Sequence, residues 1–206
     1  MQIAVIGWGS LIWCPGCLQI KSRWRSDGPA LPVEFARISS DKRLTLVIHT
    51  GTLEEPTPDQ QTYWALSEFE DVERAQENLR VREGTSAKHM AAEGQQGGEI
   101  DPEISARIRK WLQGQPDVQA AVWTALPSNW LEQRGEQFTT EDAVAYLREL
   151  ESKRDQAKVT YDRAHEYVTN APSQIQTPVR KMVGQEKGWE AAKLPSVLFE
   201  SAEGDS

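Results

Sequence analysis

Cysteine and histidine are scarce in this chain, with 2 Cys and 3 His among 206 residues. Two cysteines cannot build a disulfide framework, and nothing else points to an oxidising compartment, so the chain reads as cytoplasmic. His49, His89 and His165 do not pair at ligand spacing, so no zinc or other metal is expected. No apolar run approaches the roughly 20 residues a membrane helix needs. The start lacks the basic n-region of a secretory signal, since apolar Ile3–Ile6 runs straight into Gly7-Trp8-Gly9. Positive charge is also short. Lys and Arg number 23 against 31 Asp and Glu, giving a net charge of −8. That balance argues against duplex nucleic acid and anionic membrane as partners. No internal repeat is visible. What remains is a soluble chain, 38% hydrophobic, long enough for one domain with an annex. Tryptophan is the residue in excess, at 8.

The chain changes character near residue 92. Residues 1–92 are dominated by strand-like segments: Ile3–Ile6, Leu44–Ile48 and Thr62–Leu66. Ser67 with Glu70 three residues later has the form of a capping box, predicting a helix over 68–80. Residues 93–100 belong to a Gly/Gln stretch that reads as a linker or loop. From 101 to 200 the chain reads as a mostly helical extension packed on the first part. Asp101-Pro102 opens a helix through Leu112, and apolar Val118–Leu126 reads as a strand. Thr139 or Thr140 then caps one long helix to about Val168, where Ala143, Leu147, Leu150, Arg154, Ala157, Tyr161, Ala164 and Val168 recur at heptad spacing. That stripe suits a helix packed along the protein or a helical hairpin. The sharper alternative is a homodimer through 140–168. The tail 201–206 is small and acidic and is expected to be disordered.

Four places could carry chemistry. Gly7-Trp8-Gly9-Ser10 follows a buried strand. It lacks the third glycine and the uninterrupted helix of a dinucleotide fingerprint. Two glycines around a bulky residue can still aim successive backbone N–H groups at a carboxylate or oxyanion. Trp13-Cys14-Pro15-Gly16-Cys17 has the thioredoxin-like spacing, but with Pro-Gly in place of Gly-Pro and a poor helix after it. It reads first as a turn with two thiols. Leu79-Arg80-Val81-Arg82-Glu83-Gly84 closes the predicted helix with a carboxylate that can point into a cavity. Among the basic residues near the start, Arg37 is set apart by its apolar, strand-like surroundings Val33–Ile38, where a charge needs a partner.

Taken together, two of these places resemble a known family. Gly7-Trp8-Gly9-Ser10-Leu11-Ile12-Trp13 resembles the Tyr-Gly-Ser-Leu signature of γ-glutamylcyclotransferase-like proteins, nearest the ChaC-type branch. Asn78-Leu79-Arg80-Val81-Arg82-Glu83 resembles that branch's Leu-x-x-Arg-Glu, whose Glu is catalytic. The resemblance covers residues 1–90 or so. It implies an α+β fold: a small mixed β-barrel with flanking helices, followed here by the helical extension with one long helix. It implies cleavage of a small γ-glutamyl amide by its own α-amine, releasing 5-oxoproline, with no cofactor. Glu83 would be the general acid/base. Gly7, Trp8, Gly9, Ser10 and Leu11 would hold the substrate, and Arg37, on the strength of its own place in the apolar run, is the cation that could join them in binding an anionic substrate. Two departures stand out. Trp8 replaces the signature Tyr and loses its phenol oxygen, and Gly84-Thr85-Ser86 lacks the Gly-Tyr expected after the Glu. The alternatives are a non-catalytic binding or interaction protein on the same fold, and a thiol–disulfide oxidoreductase using Cys14 and Cys17.

Overall fold

A computed structural model describes residues 1–52, 55–94 and 101–200. In chain order its strands are β1 (Ile3–Gly7), β2 (Ala30–Leu31), β3 (Val33–Ile38), β4 (Leu44–Ile48), β5 (Gln60–Gln61), β6 (Tyr63–Leu66), β7 (Met90–Gly94) and β8 (Ala120–Thr124). The helices are α1 (Val72–Glu83), α2 (Pro102–Leu112), α3 (Trp130–Arg134), α4 (Thr140–Ser152), α5 (Lys158–Asn170) and α6 (Pro178–Val183). Among the described residues no helix is long and apolar enough to cross a membrane.

The chain divides into two compact units, each assembled from separate stretches. The first comprises Met1–Leu31, Gln61–Leu126 and the residues from Leu194. The second comprises Pro32–Gln60 and Pro127–Lys193. This partition does not follow the break expected at 93–100. Glu93 and Gly94 complete β7, and β8, from beyond the glycine-rich stretch, joins the same sheet. Residues 95–100 and the tail 201–206 lie outside the described residues.

The first unit is built on a sheet of order β6-β1-β8-β7. Every residue of β1 is buried, as the uninterrupted Ile-Ala-Val-Ile run requires of a central strand. β1 runs antiparallel to β6, with Val5 opposite Ala65, and parallel to β8, with Ala4 opposite Ala121. β7 closes the other side antiparallel to β8. Among the described residues the sheet is open at both ends, and β3 and β4 pair with each other in the second unit. The closed barrel that the resemblance implied is therefore not formed by these strands.

α1 begins later than the sequence pattern suggested. The Asp71 carboxylate accepts from the Arg74 amide at 2.9 Å and supplies the cap. The Ser67 hydroxyl instead accepts from Phe69, and the Ser67 amide bonds Ile3 at the sheet edge. Val72, Ala75 and Leu79, at spacings of three and four, form the buried face of α1. At its end, Gly84 takes φ 61°, and the amides of Gly84 and Thr85 return to the carbonyls of Val81 and Arg80. This left-handed cap stops the helix one residue past Glu83.

In the second unit the long helix of the sequence pattern is two helices. Residues 153–157 form tight turns between α4 and α5, with the amides of Lys153 and Arg154 bonded to Leu150 and Glu151. The break falls at the charged Arg154, which lies over the Tyr161 ring at 5.0 Å. Ala143, Leu147, Tyr161, Ala164 and Val168 are buried within the chain itself. β3 carries a register shift between Phe35 and Arg37. There Ser128 donates to the Ala36 carbonyl, and the Asn129 side chain bonds both the amide and the carbonyl of Ile38. Glu34 of β3 is 1% exposed. Its carboxylate accepts from the amides of Phe35 at 2.7 Å and Val179 at 3.3 Å, the latter in the first turn of α6. Trp123 in the first unit and Trp130 in the second are both core residues.

Candidate functional site

The site is assembled within the first unit from the loop after β1 and the last turns of α1. Gly7 ends β1 where a side chain would collide with its neighbour: a Cβ there would lie 3.0 Å and 3.1 Å from the Trp24 ring. Its glycine identity thus has a packing cause. The chain then winds through turns in which the Ile12 amide donates to Gly9 and the Cys14 amide to Ser10, at 3.1 Å and 2.8 Å. The amides of Gly9, Ser10 and Leu11 find no acceptor among the described residues. These are the donors that the glycine-flanked motif was expected to offer.

Two side chains of α1, one turn apart, grip this loop. Residues at i and i+4 share a helix face. Asn78 donates to the Cys17 carbonyl at 3.1 Å, and its carbonyl oxygen accepts from the Gln19 amide at 2.9 Å. Arg82 spreads its guanidinium over three partners. Nη2 donates to the Cys14 carbonyl at 2.6 Å and to the Ser10 hydroxyl at 3.1 Å, and Nη1 donates to the Glu83 carboxylate at 2.7 Å. The pair is largely sheltered, with side-chain exposures of 11% for Arg82 and 18% for Glu83. A planar guanidinium with donors in fixed directions suits this bridging geometry.

Glu83 and Ser10 are thus brought together, with Arg82 as the link. Trp8, expected among the substrate-holding residues, is 6% exposed and lies among the buried residues. Leu11 is buried as well. Arg37 belongs to the second unit, where burial lowers its pKa and its guanidinium donates to the Pro127 carbonyl at 2.7 Å. Arg25 is committed to Glu200 at 2.6 Å and lies over the Trp64 ring. The linking role of Arg82 was not read from the sequence. Its signal was the Asn78–Arg82 spacing on a helix whose next residue is the acid. Among the described residues no three of His, Cys, Asp and Glu gather as metal ligands would.

No protein-family model matches the chain, and no curated protein matches it. Among solved structures it is similar to a crystal structure of a γ-glutamyl cyclotransferase specific to glutathione from yeast. The identity is 14% over 81% of this chain and 99% of that one, with a TM-score of 0.37. A likeness this loose assigns neither fold nor chemistry.

Proposed function

We propose that this chain is a γ-glutamylcyclotransferase-like enzyme that cleaves a small γ-glutamyl amide. The observation that carries the reading is the Arg82 bridge from Glu83 to Ser10 and Cys14. The two motifs that resemble the family, far apart in sequence, meet through it.

The reaction asks three things of the site. The substrate's ammonium must lose a proton before its nitrogen can attack the γ-carbonyl. Glu83, held by Arg82, is the group placed to accept that proton. Attack forms a ring and places negative charge on the former carbonyl oxygen. Unpaired amides in the Gly9–Leu11 turn are the donors for that oxygen or for the substrate's carboxylate. The bond to the leaving nitrogen then breaks as that nitrogen takes the first proton back from Glu83, and the ring nitrogen gives up its own extra proton, which reaches the freed amine and leaves it as an ammonium. The products are 5-oxoproline and a free amine. Arg82 fixes the Glu83 carboxylate against the loop, so that base and donors keep one geometry.

The test is direct. The chain is incubated with glutathione and a panel of γ-glutamyl amides, and 5-oxoproline is followed by mass spectrometry. Glu83→Gln, checked for an unchanged melting transition, is expected to lower the rate about 100-fold to 10,000-fold. Absence of product from every substrate, or undiminished activity in Glu83→Gln, overturns the reading. The pairing of Glu83 with Arg82 favours one alternative, a binding protein without turnover. Calorimetric binding of a γ-glutamyl amide that is recovered intact would select that alternative.

A further inference from the structure

We propose that Cys14 and Cys17 are a reversible dithiol–disulfide pair that controls the Arg82–Glu83 site. The site itself rests on the function proposed above. The dithiol and its effect on the loop do not.

Both thiols are free and exposed. They flank Pro15-Gly16, where Gly16 adopts φ 59° and the Leu18 amide closes a turn onto the Pro15 carbonyl at 3.0 Å. Cys17 lies inside this turn and Cys14 immediately precedes it, so the two residues sit either side of a tight bend of the kind that favours the short separation a disulfide requires. A Cβ built on Gly16 meets nothing within 4 Å, so the turn has room to rearrange. Cys17 also opens on a groove beside α1 whose walls include Phe69, Arg74, Asn78 and Val81, leaving its sulfur approachable.

The coupling lies in the carbonyls of the same two residues. Cys14 O is held by Arg82 and Cys17 O by Asn78, both from one face of α1. A disulfide imposes its own torsion on a ring of only four residues. Reorienting either peptide group pulls on Asn78 or Arg82. Arg82 is also the group that holds Ser10 and Glu83. Closing the dithiol thus loosens the link between the proton-transferring carboxylate and the donor loop.

The step balances with a low-molecular-weight disulfide as oxidant. One protein thiolate attacks a sulfur of the small disulfide, giving a mixed disulfide and one small thiolate. The second protein thiolate displaces the other small thiol and forms the Cys14–Cys17 bond. Two protein thiols are oxidised and one small disulfide is reduced to two thiols, which take up the protons the cysteines released.

The experiment uses the full chain and 2-hydroxyethyl disulfide, which carries no γ-glutamyl group. Intact mass is expected to fall by two hydrogens, with peptide mapping placing the bond at Cys14–Cys17. Amide hydrogen exchange is expected to quicken several-fold over residues 10–18 and 78–84. The release of 5-oxoproline is expected to fall about tenfold or more and to return with dithiothreitol. Cys17→Ser is expected to keep basal activity and to lose all response to the oxidant. Stable mixed disulfides without an internal bond overturn the proposal. So does an internal bond that leaves exchange over 78–84 unchanged. If the bond forms and exchange quickens while the reduced chain releases no 5-oxoproline, the dithiol control of the loop stands and the cyclotransferase reading falls.

Discussion

Replacing Glu34 with glutamine is expected to reverse the order of stability of the two proteins between pH 4 and pH 8. The Glu34 carboxyl is pushed up from about 4.5 to about 7, because burial opposes its charge more strongly than its three donors favour it. Those donors are the Thr177 hydroxyl and the amides of Phe35 and Val179. A folded acid that holds its proton where the unfolded chain has released it is favoured at low pH. The contribution is complete below about 4.5 and is lost as pH rises through about 7. A displacement of this size corresponds to about 3 kcal/mol at pH 8. Glutamine escapes that cost at every pH. Its oxygen can still accept from Phe35, but its NH2 faces the Val179 amide, a lost bond of about 1 kcal/mol. Glu34→Gln should therefore be less stable by about 1 kcal/mol at pH 4, nearly equal at pH 5 and more stable by about 2 kcal/mol at pH 8. Urea midpoints at half-unit intervals of pH read the effect. His49 works in the opposite direction, since burial lowers its pKa and stability rises with pH through its unfolded value. Both proteins carry His49, so its contribution cancels in the difference. A difference that stays flat from pH 4 to pH 8 would refute the argument.

Asp71→Ala removes the side chain that accepts from Arg74 and is expected to cost about 1 kcal/mol in urea unfolding. Ser67→Ala, at the position the capping-box pattern favoured, should leave α1 capped, and equal losses in the two variants would contradict this assignment. Gly7→Ala drives a methyl group toward the Trp24 ring, which is 2% exposed and has little room to give. A loss of about 1–3 kcal/mol is expected, largely relieved when Trp24→Phe is added. Unfolding of the single and double variants decides it.

Local structure was legible where short-range chemistry sets it. Asp101-Pro102 marked the start of α2, and the apolar run at residues 3–6 marked the central strand, because a cap and a buried strand are written in adjacent residues. The partners of that strand were not legible. Nothing local in Ala120–Thr124 says that it lies parallel to β1. In Val33–Ile38 the sequence pattern singles out Arg37 as the charge needing a partner. The structure leaves Arg37 partly exposed and buries Glu34, which takes one of its donors, the Val179 amide, from distant α6. The heptad stripe over 140–168 was real as a burial pattern but did not record the break at 153–157. A periodicity of apolar positions is kept when a charged turn interrupts the backbone. At the site, Ser10 and Glu83 were identified by type and order. Arg82 emerged as their link only when α1 was laid against the loop.

The pairing of β1 with β8 also sets when the first unit can form. Ile3 must find Ala120 across most of the chain. By loop-closure entropy alone, bringing those ends together costs roughly 4 kcal/mol before any constant, and a sheet with so distant a partner at its centre folds slowly. During synthesis the β1–β6 ribbon emerges first and waits, with an unpaired apolar edge, until β8 has left the ribosome. A chain stopped at Ala92 would keep both motifs of the site yet never cover that edge. It should aggregate rather than fold.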